Sequence, residues 1–267
     1  MASTRSARHP GRVDILGCPF DAVSFAEVVD RLRQAVLTNS RLYCAVGNVD
    51  MVMKCRHLPQ LARDFWDADL VIADGVPVTW AASLLGTPLR GRVAGTEIVW
   101  DCAAIAAETG CAVALIGGRF DVTQRAAEKM AERFPKAKLH ALETPFPLTP
   151  EANAKLAEEI KAKGAKIVLV ALGAPKQERW LRENLAACDA NVGIGIGSAF
   201  DIISGDKRWA PKWMRDSGLE WLYRLLQEPK RLGRRYLLED MPFFWHLLHE
   251  VLRRRLFGRG PAARHRA

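Results

Sequence analysis

Short apolar runs recur along this chain at residues 43–46, 70–73, 112–117, 138–142, 167–172 and 192–197. Each has the length of a strand, and most are hydrophobic throughout rather than alternating, the pattern of strands covered on both faces. Between them, apolar positions recur every three or four residues over 25–37, 76–85, 97–108, 122–134, 150–163 and 175–187. That spacing predicts amphipathic helices. Strand and helix in alternation predict an α/β fold, a Rossmann-like and mainly parallel sheet with helices on both faces. Local chemistry supports several of these limits. Thr149 before Pro150 and Glu151 forms an N-cap with proline in the first turn, and Gly164 can close that helix in a left-handed conformation. Ser217 and Glu220 have the spacing of a capping box and predict a helix start, which Pro229 interrupts.

Charge divides the chain where this pattern changes. The formal charge of +9 comes from 39 basic and 30 acidic residues, yet residues 207–267 hold fifteen Lys/Arg against six Asp/Glu, so residues 1–206 are neutral. Three parts are expected: a disordered basic tail over 1–12, an α/β core over 13–206, and a helical basic and aromatic appendage over 207–267. Half of the eight tryptophans, Trp209, Trp213, Trp221 and Trp245, interleave with the appendage cations. On one continuous helix, Arg224, Arg231 and Arg235 would share a face, with Arg234 beside it. Such a surface suits an anionic partner: lipid headgroups, a nucleic acid or a phosphorylated substrate.

The six cysteines form no C-x-x-C pair, so a zinc site and a disulfide framework are not expected. The first dozen residues carry Arg5, Arg8 and Arg12 but no apolar core of a secretory signal. No run of 18 uncharged apolar residues occurs, because residues 241–257 are interrupted by His246, His249, Glu250 and Arg253–Arg255. The chain is expected to lie on a membrane rather than cross it, with Phe243, Phe244, Trp245, Leu247 and Leu248 as the apolar side.

Open parallel sheets bind ligands outside the carboxyl ends of their strands. Five glycine-marked turns fall there: Gly47-Asn48, Asp74-Gly75, Gly117-Gly118, the stretch from Gly173 to Glu178, and the stretch from Gly197 to Asp201. Asp74 is either an N-cap for the following helix or a general base for a sugar hydroxyl. Gly117-Gly118 before a helix can present backbone N–H groups to phosphate, although the full G-x-G-x-x-G of a dinucleotide site is missing. Gln177 is expected to contact a ligand, and Glu178 to favour the helix N-terminus. Asp67-Ala-Asp69 has the D-x-D form of a metal ligand pair but precedes its strand, at the wrong end of the sheet, so no metal role is expected.

Together these segments resemble the WecG/TagA/CpsF glycosyltransferases (glycosyltransferase family 26) from about Val13 to Tyr236. The resemblance rests on Asn48, Ala73-Asp-Gly75, Arg92-Val-Ala-Gly-Thr96, Gly173-Ala-Pro-Lys-Gln-Glu178, Gly197-Ser-Ala-Phe-Asp201, Gly218-Leu-Glu-Trp-Leu-Tyr-Arg224, Arg231 and Arg234-Arg-Tyr236. It implies an inverting, metal-independent transferase of bacterial cell-surface polysaccharide synthesis, with no cofactor. The implied partners are a UDP-sugar donor, a polyprenyl-diphosphate-linked sugar acceptor and the cytoplasmic membrane surface, where the protein would be peripheral. Nucleic acid is not among them, and a homo-oligomer is left open. By motif position Asp74 is the base; Asn48, Thr96, Gln177 and Asp201 line the pocket; Arg92 lies near the substrate; and Arg224, Arg231 and Arg234 hold the UDP diphosphate, to which the local geometry adds the N–H groups at Gly117 and Gly118 as candidate donors. Two positions depart from the family pattern: Val46 stands where relatives often have Thr, and Glu97 where they commonly have Asp. Both bear on the donor sugar, for which an N-acetylmannosamine type, glucose and a uronic acid are the alternatives. The rival reading is a basic lipid- or nucleic-acid-binding module without catalysis, which explains the charge asymmetry but not Asp74, Gln177 and the glycine turns.

Overall fold

The computed structural model describes residues 11–257. A short antiparallel hairpin, β1 (Val13–Ile15) and β2 (Cys18–Phe20), precedes helix α1 (Phe25–Leu37). The central sheet then takes its strands in turn: β3 (Leu42–Gly47), β4 (Leu70–Ala73), β5 (Ala112–Gly117), β6 (Lys138–Leu142), β7 (Ala165–Ala171) and β8 (Val192–Gly195). All six predicted strands are present. They pair in the spatial order β4-β3-β8-β7-β5-β6, every pairing parallel. Helices α2 (Val49–His57) and α3 (Pro59–Asp67) join β3 to β4, and α4 (Val76–Leu84) and α5 (Gly95–Thr109) join β4 to β5. The remaining crossovers are α6 (Phe120–Arg133), α7 (Pro150–Ala162) and α8 (Lys176–Asn184), with α9 (Ala199–Ser204) following β8. The expected α/β architecture is what the chain forms.

Successive side chains of each strand enter opposite cores, which is why the strands read as unbroken apolar runs. Cys44, Val46, Leu70, Ile72, Val113 and Leu115 join α1, α5, α6 and α9 on one face. Tyr43, Ala45, Val71, Ala73, Ala114 and Ile116 join α2, α3, α4, α7 and α8 on the other. Five of the cysteines are buried in these layers. Thr149 accepts a hydrogen bond from the Ala152 N–H as the N-cap of α7, and Gly164 takes the left-handed conformation (φ 63°) just after it.

The C-terminal region continues as α10 (Lys212–Asp216), α11 (Glu220–Gln227), α12 (Pro229–Arg234), a π-helical segment (Arg235–Asp240) and α13 (Pro242–Phe257). Its helical breaks correct two expectations. The helix ends at Glu228-Pro229, so Arg224, Arg231 and Arg235 do not share one continuous helical face. Nor does Ser217 cap a helix with Glu220. Its hydroxyl donates to the Met214 carbonyl, and α11 starts without a side-chain cap. The region packs onto the core through buried Leu232, Phe243 and Leu247, and Arg254 donates to the Leu85 carbonyl at 2.9 Å.

The tail expected over 1–12 falls mostly outside the described residues, as does the stretch after Phe257. Its last member does not behave as a tail. Arg12 is 3 % exposed, donates to both Asp21 carboxylate oxygens at 3.1 and 3.2 Å, and reaches the carbonyls of Trp66 and Ala68. The hairpin, α2 and α3 are not legible in the sequence because three-residue strands and short, weakly periodic helices leave little pattern.

Candidate active site

A cleft of about 600 Å³ opens at the carboxyl ends of β3, β4, β7 and β8, roofed by the C-terminal region. Four of the five glycine-marked turns contribute to its walls. The fifth, Gly117-Gly118, does not. Gly117 donates its N–H to the Thr144 hydroxyl at 2.7 Å, and a Cβ there would stand 2.6 Å from the Ala171 backbone, at a φ of +90°. Its glycine serves the close approach of β5 to β7. A second cavity of about 470 Å³ runs along edge strand β6 beside α6, away from these turns.

Asp74 follows β4, where Gly75 turns the chain at a φ of +113°. The N-cap of α4 is Gly75, so the capping reading of Asp74 is not realised. Its carboxylate instead meets the Gly95 N–H at 3.5 Å and Arg92 Nη1 at 3.7 Å. Burial raises its pKa to about 6, aided by Glu220, whereas Arg224, Arg92 and the Gly95 N–H oppose the shift. With 28 % of its side-chain surface open, it remains reachable from the cleft. A carboxylate poised this close to neutrality can accept a proton from an attacking hydroxyl.

Arg92 stands behind Asp74 rather than in the cleft wall. The Val93 N–H bonds the Ala73 carbonyl at 2.8 Å, fixing its loop beside β4. From there Arg92 reaches Glu97 at 3.4 Å and Glu220 at 3.6 Å. Glu97 also holds Arg215 at 3.0 Å, while Arg215 stacks on Trp209. The buried Thr96, in the first turn of α5, lines the cleft nearby.

Asn48 caps α2 by accepting from the Met51 N–H at 3.1 Å, which leaves its Nδ2 donors for a ligand. Gln177 is buried on the opposite wall. Its Nε2 donates to Glu178 at 2.8 Å and its Oε1 accepts from the Gly197 N–H at 3.2 Å. Gly195 allows this packing, since a Cβ there would lie 2.7 Å from Nε2. Glu178 stands in the first turn of α8, as expected, but it is 1 % exposed, and burial raises its pKa to about 7.

Cations gather under the roof. Arg224 bonds Glu220 through Nε and Nη2 at 3.1 and 2.7 Å, and Arg231 pairs with Glu228. Lys207 bridges Glu228 at 3.1 Å and Asp201 at 3.6 Å. Among the described residues Arg234 and Arg208 line the cleft without an ion pair to a carboxylate. Arg235 points its charge to Asp50 and Asp240, at 3.3 and 3.4 Å, and docks the π-helical segment on α2. The structure thus brings Asp74, Asn48, Thr96, Gln177, Asp201, Arg224, Arg231 and Arg234 to one cleft, with Arg92 one contact away. Sequence reasoning missed Lys207, Arg208 and the ionic role of Glu220, although Glu220 and Arg224 have the i,i+4 spacing of a helical ion pair.

Asp69 accepts from the Tyr43 N–H at 2.8 Å, at the start of β3 and remote from the cleft. In the C-terminal region, Leu237, Leu238, Met241, Phe244, Trp245, Leu248, Leu252 and Leu256 are exposed. Phe243 and Leu247, expected on that surface, are buried instead. No helix among the described residues is long and apolar enough to cross a membrane.

The parallel α/β sheet carries a buried carboxylate at its strand ends beneath a roof of arginines, and comparison with known proteins gives the class as glycosyltransferase. The model of the glycosyl transferase WecG/TagA/CpsF family matches residues 13–256, and the chain belongs to that family. It is similar to a Staphylococcus aureus (strain MW2) protein named N-acetylglucosaminyldiphosphoundecaprenol N-acetyl-beta-D-mannosaminyltransferase, at 27 % identity over 245 residues, covering 91 % of this chain and 94 % of the relative. Relatives of the same name in Staphylococcus aureus strains NCTC 8325 / PS 47 and MRSA252 match with the same identity and coverage.

Proposed function

We propose that this protein is an inverting glycosyltransferase that moves a sugar from a UDP donor to a polyprenyl-diphosphate-linked saccharide, working peripherally on the cytoplasmic face of the membrane. The observation that carries the reading is Asp74, a carboxylate with a pKa of about 6 facing a cleft roofed by arginines. In a single displacement Asp74 accepts the proton of the acceptor hydroxyl as its oxygen attacks the donor anomeric carbon. The bond to UDP breaks, and negative charge grows on the terminal phosphate. Arg224, Arg231 and Arg234, with Lys207 and Arg208, are the cations that meet that charge, and fixed donors of this kind can replace a metal ion. The Asn48 amide and Gln177 supply hydrogen-bonding groups for the sugar, whereas the Gly117-Gly118 turn is left out of this role.

The relatives' names make an N-acetylmannosaminyl donor and an N-acetylglucosaminyl-diphosphoundecaprenol acceptor the first pair to try. Val46 lines the cleft, so its departure from the common Thr bears directly on donor choice. The exposed stripe from Leu237 to Leu256 lies on the same region as the roof and would hold the cleft at the bilayer where the lipid-linked acceptor resides. The test is UDP release by the purified protein with a panel of UDP-sugars, with and without a short-chain polyprenyl-diphosphate sugar and without added divalent metal, Asp74→Asn in parallel. Acceptor-dependent release from one donor, lost in the variant, is the expected result. Silence across the panel from folded protein would overturn the proposal in favour of a binding module.

A further inference from the structure

Asp74 does not face cations alone. Glu220, the first residue of α11, brings a second carboxylate to the same place. Its Oε1 accepts from Arg224 Nε and Nη2, and its Oε2 stands 3.6 Å from Arg92 Nη1. That same Arg92 nitrogen lies 3.7 Å from Asp74 Oδ1. One guanidinium nitrogen is therefore shared between a carboxylate of the core and a carboxylate of the C-terminal region. Glu220 is not occupied in capping its own helix, because Ser217 turns to Met214 and α11 starts without a side-chain cap. Only 20 % of its side-chain surface is exposed. A carboxylate this enclosed, holding two arginines of the site, has a use beyond solubility.

We propose that Glu220 is a positioning residue for the transfer reaction, setting the basicity of Asp74 through its own charge and through the Arg92 and Arg224 guanidiniums that it engages. The inference rests on the reading of Asp74 as the base. Asp74 is faced by Arg92 from the loop before α5, by the Gly95 N–H at the start of α5, and by Glu220 and Arg224 from α11. Glu220 is in turn faced by Arg92, Arg224 and Tyr236 of the π-helical segment. Within this set Glu220 does two things at once. It places a like charge near Asp74, and it occupies the Arg224 guanidinium that would otherwise favour the ionised base. Both raise the affinity of Asp74 for a proton.

The test uses the full chain and needs no turnover for its first arm. The Asp74 carboxyl is followed by carbon NMR across pH, assigned through its loss in Asp74→Asn. In Glu220→Gln the titration midpoint is expected to fall by on the order of one pH unit, and Glu220→Asp should recover part of the shift. An unchanged midpoint in folded Glu220→Gln protein overturns the inference. In the second arm, the acid limb of kcat/KM moves down by the same interval. At alkaline pH kcat falls roughly threefold, as a weaker base transfers the proton less effectively, while the donor KM does not rise. A rise in KM with an unmoved acid limb would show that Glu220 merely keeps Arg224 in place, which also overturns the proposal. If the wild-type protein transfers no sugar, the proposed function fails, yet the NMR arm still decides whether Glu220 governs Asp74.

Discussion

Replacing Asp74 by Asn should stabilise the protein at alkaline pH while removing its activity. Burial and Glu220 raise the pKa of this carboxyl from 3.8 to about 6. A folded-state pKa above the unfolded one means that the native state binds the proton more tightly. Stability from this group is therefore present at low pH and declines as pH rises from about 4 through 6. Above about pH 7 the full cost of a buried, ionised carboxylate is present. A rise of that size in proton affinity corresponds to about 3 kcal/mol. Because 28 % of the side chain is open to the cleft, solvent screening reduces the expected figure to about 1–2 kcal/mol. Asn approximates the neutral acid in shape and cannot ionise, so the variant escapes that cost. At pH 8 it should gain about 1–2 kcal/mol, or roughly 2–6 °C in Tm, and about a third of this gain should remain at pH 4.5. The assay is urea unfolding of both proteins at the two pH values, with sugar transfer measured alongside; loss of the base should lower turnover by about 10²–10⁴-fold. An equal difference at both pH values, or a variant less stable at pH 8 than at pH 4.5 relative to wild type, would refute this role for Asp74.

The acid limb of kcat/KM should lie near pH 6, where the Asp74 carboxylate forms; a limb near pH 4 would mean that the base is another group or is solvated. Arg234→Ala should lower transfer by about a hundredfold or more with little change in stability, since among the described residues Arg234 pairs with no carboxylate; near-normal turnover would remove it from the diphosphate set. Gly117→Ala should cost roughly 1–3 kcal/mol, with the UDP affinity of the folded protein unchanged, because a Cβ would meet the Ala171 backbone rather than a ligand; calorimetric titration with UDP checks the second half. Trp245→Glu should weaken binding to anionic vesicles without lowering Tm, whereas Phe243→Ala should destabilise the fold by about 3–5 kcal/mol; equal effects on vesicle binding would deny the division between exposed and buried faces.

The strand ends were legible because burial on both faces leaves unbroken apolar runs, and glycine marks the turns beyond them. This was enough to point to Asp74, Asn48 and Gln177 from the chain alone. At Gly117 the same signal has a packing cause. A glycine needed for close strand packing and a glycine needed for phosphate look alike in sequence, and only the position of β5 beyond β7 separates them. Helical spacing groups Arg224, Arg231 and Arg235. Pro229 breaks that helix, yet folding still brings all three to one cleft, with Arg235 turned to Asp50.

By itself the sequence determined the class of fold, the edge of the sheet at which the cleft opens, and the separation of a neutral core from a basic end, since each depends on local periodicity or composition. The tertiary structure alone decided which groups share a charge. Glu220 lies 146 positions from Asp74 in the chain, and no local pattern reports that Arg92 sits between them. It also decided that Phe243 and Leu247 face inward while Phe244, Trp245 and Leu248 face out, because a helix rich in apolar residues on every side acquires an inner face only from what it packs against.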